Sequence, residues 1–162
     1  MKTQQKNKDR LVTEVFKDVF DKYDLMNDLM SLGIHRIWKK NFIQWLNPQQ
    51  NTKLIDVASG TGDIAKLFLN KINSKGSVCC VDENNGMLSL SKKKLYNNEN
   101  VKWFCNNAEK LPFKNNYFDY YTISFGIRNV EDINAALQEA YRVLKPGGRF
   151  LCLEFSKVEN EI

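Results

Sequence analysis

The sequence predicts an α/β fold: a mostly parallel sheet with helices on both faces, preceded by an N-terminal helical extension. From Lys53 onward, five short segments (KLIDVAS, SVCCVD, VKWFC, YFDYYTIS and RFLCLEFS) are rich in β-branched, aromatic and aliphatic residues. They alternate with helical stretches, which is how a chain writes a parallel sheet. Three of the five lack clean period-2 alternation, as strands covered on both faces do. No internal repeat or low-complexity linker interrupts the series.

Taken in order, Leu11, Val15, Phe16, Val19, Phe20 and Tyr23 form one helical stripe over 11–23. A second apolar helical region runs through Leu29, Met30, Ile34, Ile37, Trp38 and Trp45 and ends near Pro48. Between the later strands, helices are expected over 63–72, 86–96 and 131–144. The last would bury Ile133, Leu137, Ala140 and Leu144, with Gly147 and Gly148 closing it after Pro146. The expected organisation is a helical cap over 1–50 and a cofactor-binding core over 51–162, together one structural unit.

Bulk properties narrow the class. A chain of 162 residues suits one domain, able to bury about 70% of its unfolded surface. Hydrophobic content of 43% and charged content of 27% are ordinary for a soluble protein. No run of 18 apolar residues writes a transmembrane helix. MKTQQKNKDR lacks the apolar core of a secretory signal and the Arg- and Ser-rich make-up of a transit peptide. A bacterial cytoplasm is the expected setting, the alternative being the mitochondrial matrix face after processing.

Cys79, Cys80, Cys105 and Cys152 form no C-x-x-C pair, and His35 is the single histidine. They read as small core residues in a reducing compartment, with no metal site. The net charge of +5 comes from scattered lysines, and the dense run Lys92–Lys94 falls where a helix would face solvent. No nucleic-acid partner is expected from it.

The ligand of such a sheet belongs at the carboxyl ends of its strands, beside the first one. VASGTGDIA stands there. Gly60, Gly62 and Ala65 satisfy the spacing G-x-G-x-x-G/A, and Asp82 closes the second strand twenty residues after Gly62, where an acid meets a ribose hydroxyl. Asp63 at the following helix start would repel a pyrophosphate, and Asp56 adds a second negative charge. The loop therefore suits a ligand without phosphate and with a positive centre. S-adenosylmethionine has both a sulfonium and an ammonium, and glycine lets backbone approach it closely. Asn107 and Ala108 follow the third strand, where an amide can read an adenine edge or close a plain turn. Ser124 ends the fourth strand, with Phe125 and Arg128 just after.

Two longer motifs, YDLMNDLMSLGIHRIW at 23–38 and RVLKPGGRFLCLEFS at 142–156, resemble the UbiE-type C-methyltransferases of ubiquinone and menaquinone biosynthesis. SGTGD, NAEKLPF and ISFGIRNV stand between them in that family's order. Ser59 stands where relatives often carry another glycine. The resemblance, from about Val15 to Lys157, implies a Rossmann-like class I S-adenosylmethionine-dependent methyltransferase. It implies a cofactor site of Thr61, Asp82, Asn107, Ala108 and Ser124, to which the loop reading adds Gly60 and Gly62. It also implies a substrate, the hydroquinone form of a polyprenylated benzoquinone or naphthoquinone, and hence peripheral contact with the inner membrane.

Methylating a ring carbon requires its conjugated hydroxyl to ionise. Arg128, a fixed cation on a crevice loop, is the candidate for stabilising that phenolate, against capping the turn or pairing with Glu131. Histidine is the usual general base, which makes His35 a second catalytic candidate, against a structural role between Ile34 and Ile37. Asp24, Asn27 and Trp38 read as helix-packing and capping residues. Family members continue beyond LCLEFS with a helix and two more strands of a seven-stranded sheet. The resemblance thus implies that this chain is a fragment or truncated product whose fifth strand is left as an edge open to association, as a homodimer or within a quinone-synthesis assembly. The rival readings are a non-catalytic cofactor-binding subunit, an NAD-binding oxidoreductase, and a nucleic-acid base methyltransferase, whose Asn/Asp-Pro-Pro-aromatic motif is missing after the fourth strand.

Overall fold

Helix α1, Ile34–Leu46, stops where Asn47 turns left-handed (φ 44°) and Pro48 follows. The computed structural model describes residues 34–96 and 98–155. The stripe over 11–23 and Asp24, Asn27, Leu29 and Met30 therefore lie outside the described residues. The chain divides into two units, Met1–Trp38 and Lys39–Ile162. The second carries the sheet.

Its elements after α1 are β1 (Thr52–Val57), α2 (Asp63–Lys71), β2 (Gly76–Asp82), α3 (Asn85–Lys94), β3 (Val101–Cys105), β4 (Phe118–Ser124), a 3-10 turn (Ile127–Asn129), α4 (Ile133–Val143) and β5 (Leu144–Leu153). The strands lie in the order β3-β2-β1-β4-β5, and every neighbouring pair is parallel. The order reverses between β1 and β4. That is the switch point where an open α/β sheet leaves a crevice at its carboxyl edge. Among the described residues no helix is long and apolar enough to cross a membrane.

The continuous apolar runs have the cause expected of them. Alternate residues of β1 and β2 enter opposite cores: Leu54, Val78 and Cys80 pack with Phe42, Leu46, Ile64, Phe68 and Leu88 on one face. Ile55, Val57, Cys79 and Val81 pack with Tyr121, Ile123, Ala136 and Val143 on the other. Burying each large side chain of this kind contributes about 1.5–3 kcal/mol. Helix starts carry their own chemistry. Asn84 Oδ1 accepts from the Gly86 and Met87 amides at the head of α3, and Asp132 Oδ1 from Ala135 at the head of α4.

Several expectations are corrected. Helix α4 buries Ala136, Ala140 and Val143, while Ile133 and Leu137 are 44% and 41% exposed. Alanines let the helix lie close to the sheet, which turns the larger residues outward. Gly147 and Gly148 do not close that helix. They belong to an irregularity in β5, where the register jumps from Phe118↔Leu144 to Tyr120↔Arg149 and Gly147 takes φ 78°. Cys79 and Cys80 are core residues, but Cys105 and Cys152 are exposed. Lys92 and Lys93 face solvent as expected, whereas Lys94 has a partner described below.

Candidate functional site

Two loops leave the sheet on either side of the switch point: VASGTGD after β1, and SFGIRN after β4. Both are held in costly conformations. Ala58 (φ 52°) and Phe125 (φ 57°) occupy the left-handed region that side chains avoid. Such strain costs on the order of 1–3 kcal/mol and concentrates at functional sites. The loops also touch. A Cβ on Gly126 would collide with the Ala58 Cβ, so the second loop needs glycine in order to pass the first.

The two glycines of the first loop have different reasons. Gly60 (φ 54°) has open space where a Cβ would stand, so nothing in the protein crowds that side. Gly62 (φ 80°) sits against α3, where a Cβ would run into Ser91 Oγ and Leu95. Ser91 Oγ is itself fixed by the Trp103 indole N–H at 2.9 Å. Gly62 thus lets the loop lie on α3, and Gly60 is the residue whose open side is available to a ligand.

Asp82, at the end of β2, braces this arrangement. Its Oδ2 accepts from the Gly60 amide at 2.8 Å and its Oδ1 from the Asn84 amide at 2.9 Å. Each oxygen retains a lone pair for a further donor. Thr61 lies in the same loop, its Oγ1 3.5 Å from Lys94 Nζ. Asn107 spends its side-chain oxygen on the Lys110 amide at 3.0 Å, the plain turn weighed as its alternative, and keeps its NH2 group for other acceptors. Ala108 is buried beneath it. The loop beyond is clamped by α4: Arg142 donates to the Leu111 and Phe113 carbonyls at 3.0 and 2.6 Å, and Glu139 Oε2 accepts from the Leu111 amide at 2.7 Å.

Buried oxygens without partners mark the crevice floor. Asp56, 1% exposed at the end of β1, receives the Thr122 hydroxyl on Oδ1 at 2.8 Å. Its Oδ2, with Ser59 Oγ and Ser124 Oγ, has no hydrogen-bond partner among the described residues. Burial pushes the Asp56 carboxyl up to about 7, against the lowering by the Thr122 hydroxyl and the Lys39 charge. A buried polar atom left unpaired is expensive, so these three atoms call for hydrogen-bond partners.

Asp63 does not play the part expected of it. Its carboxylate lies between two ammonium groups, Lys39 Nζ at 2.8 Å on Oδ2 and Lys94 Nζ on Oδ1. Burial raises its pKa, but the two lysines outweigh burial and hold it at about 2. Its charge is more than balanced, so repulsion of phosphate by Asp63 is not what selects the ligand.

Arg128 is not an isolated cation either. Its NH1 donates to Glu154 Oε1 at 2.7 Å, and the guanidinium lies 5.4 Å from the centre of the Phe155 ring, which in turn stacks on Phe125 at 4.9 Å. The partner is Glu154, not Glu131. The register Ser124↔Leu153 brings the end of β5 beside the loop, a juxtaposition visible only once strand order is known. His35 is buried in the first turn of α1, in the smaller unit. Lys39, Lys94, Glu154 and the Glu139–Arg142 clamp had no local signal in the sequence. Among the described residues no group of three or more His, Cys, Asp or Glu could hold a metal ion.

Strand order 3-2-1-4-5, a glycine turn after β1 and an acid ending β2 define a Rossmann-like α/β class, which solved methyltransferases share. A putative methyltransferase from Bacillus halodurans shares the fold at a TM-score of 0.68 and 26% identity, over 76% of this chain and 53% of that one. A putative S-adenosyl-L-methionine-dependent methyltransferase from Methanococcus maripaludis shares it at 0.69 and 21%, over 82% and 60%. The chain belongs to the ubiE/COQ5 methyltransferase family, whose model matches residues 2–162. It is 56% identical over 158 residues to the ubiquinone/menaquinone biosynthesis C-methyltransferase UbiE of Rickettsia typhi, a match spanning 94% of this chain and 63% of that protein's length.

Proposed function

We propose that this chain binds S-adenosylmethionine in the crevice between the β1 and β4 loops and acts in C-methylation of a polyprenylated benzoquinol or naphthoquinol. The observation that carries the cofactor is the trio of unpartnered buried oxygens on Asp56, Ser59 and Ser124. They fit a ligand that both donates and accepts hydrogen bonds, and the Asp56 carboxyl among them disfavours the pyrophosphate of NAD. When bound, S-adenosylmethionine supplies a methyl group activated by its sulfonium.

The chain's own residues do the rest. Asp82 offers its remaining lone pairs to ribose hydroxyls while holding the Gly60 amide. The Asn107 NH2 and the Ala108 backbone would hold the adenine edge, on a loop kept in place by the Glu139–Arg142 clamp.

On the acceptor side, Arg128 offers the hydrogen-bond donors that Glu154 does not occupy to a ring oxygen, and so favours its ionised form. Names of the relatives support the quinol substrate, and a lipid-soluble substrate supports peripheral contact with a membrane. The test is incubation of the chain with methyl-labelled S-adenosylmethionine and a short-chain hydroquinone under reductant. A ring-methylated product by mass spectrometry is expected; a chain that binds the cofactor yet yields no product overturns the catalytic reading.

A further inference from the structure

Among the described residues β5 ends the strand order, with β4 on one side only. The Leu153 carbonyl turns inward and accepts from the Phe125 amide at 2.7 Å. Backbone direction alternates along a strand, so the amides and carbonyls of Phe150 and Cys152 point outward. A lysine, a proline and an irregularity are the usual guards of an edge. Here they stand at Lys145, Pro146 and Gly147, in the first half of the strand. From Phe150 to Leu153 there is no charge, and Phe150 and Cys152 are exposed.

The helix above that edge is bare on the same side. Ile133, Leu137 and Tyr141 recur four apart on α4 and are 44%, 41% and 86% exposed. Glu139 and Arg142 mark the other flank, where they clamp Leu111 and Phe113. The stripe therefore looks away from that loop, toward the β5 edge. Phe150 lies on the α4 face of the sheet, stacked on Tyr121 at 5.2 Å, and Tyr121 shares its core with Ala136 and Ala140. Asn134 and Gln138, beside the stripe, are uncharged, so the surface gives an acidic or basic partner nothing to pair with. It presents a strand edge and an apolar helix flank together, and a second copy brings the same two features.

We propose that the chain self-associates through β5, two copies pairing antiparallel about a two-fold axis at Leu151. The result is one continuous sheet with five strands from each copy. A two-fold contact meets both needs at once, because each surface is its own complement. Directly opposed residues share a face, so Phe150 of each copy meets Cys152 of the other, large against small, and they exchange backbone hydrogen bonds. The two α4 stripes flank that seam, and Arg149 lies opposite Leu153. A shift of two residues sets Phe150 on Phe150 or against Glu154, and a shift of four sets Arg149 on Arg149. A shift of one puts the faces out of step. The contact is independent of the ligand in the crevice.

Sedimentation velocity of the 162-residue chain between about 1 and 100 µM is expected to show a reversible rise to twice the mass of one chain. Leu137→Lys and Tyr141→Lys, both at exposed positions, should leave the melting of the dilute chain unchanged and weaken association by at least about 10-fold. Amide exchange followed by NMR reads the seam itself. From dilute to concentrated chain the outward Phe150 and Cys152 amides should gain about 10-fold or more in protection, and the inward Leu151 and Leu153 amides less. A chain still monomeric at about 100 µM overturns the proposal. So does association that neither lysine weakens, or a dimer whose Phe150 and Cys152 amides exchange as fast as in the monomer.

Discussion

The two sides of the crevice are built on different principles. On the β1–β2 side three loop residues are braced: Gly60 by Asp82, Gly62 by the packing of α3, Asp63 by two lysines. On the β4–β5 side a strained Phe125, an aromatic stack and an exposed ion pair do the holding. The first is a rigid seat, suited to a ligand whose shape does not vary. The second is held by contacts that solvent reaches more readily. Under the proposed methyl transfer, a fixed donor and an admitted acceptor would need both kinds of wall.

The comparison breaks most visibly through Asp56. Its carboxyl ionises at about 7 when folded, against an ordinary 3.8. Between those values the native chain holds a proton that the unfolded chain has released. Stability should therefore fall as pH rises from about 4 to about 7, by on the order of 2–4 kcal/mol, and level off above. Urea titrations at pH 5 and pH 8 check this, and Asp56→Asn should flatten the slope. Asp63 works in the opposite sense: its contribution is present above 3.8 and lost as pH falls through about 2. Being about one-third exposed, it is screened and weighs less.

Next in size is the brace. Asp82→Ala removes the acceptor of two loop amides together with the proposed ribose partner. Affinity for S-adenosylhomocysteine should drop on the order of 100-fold by calorimetry.

The contact between the two loops comes third. Gly126→Ala forces its new methyl into Ala58 and should cost about 1–3 kcal/mol in chemical denaturation. Adding Ala58→Gly should recover most of that by removing the methyl it strikes. If the second change gives no recovery, the loops are not in contact as described.

The smallest stability effect belongs to the yielding side. Glu154→Gln breaks an ion pair whose arginine is 44% exposed, so the melting curve should move by less than about 1 kcal/mol equivalent. Cofactor affinity should be unchanged while methyl transfer slows. A loss of cofactor affinity would mean that the two sides are not separate.

The rigid seat was largely legible in the sequence, and the yielding side was not. Glycine spacing, the acid twenty residues on and the strand–helix alternation are short-range patterns, and they pointed to Gly60, Gly62 and Asp82, which the structure joins through the Gly60 amide on Asp82. What escaped were partners separated by whole elements. Lys39 and Lys94 meet Asp63 from 24 and 31 residues away, and Glu154 meets Arg128 from 26. Charge at a sequence position therefore misled: Asp63 looked like a free anion at a helix start and is a neutralised one. The face of α4 was misjudged for a related reason. Periodicity marks an apolar side, but the size of the residues decides how closely that side approaches the sheet.

The most direct test of the central claim is calorimetric titration of the 162-residue chain with S-adenosylmethionine, with NAD as the control. Micromolar binding of S-adenosylmethionine and no heat from NAD is the predicted result. Binding of NAD, or of neither, would contradict the assignment of this loop and its buried oxygens to a phosphate-free, positively charged ligand.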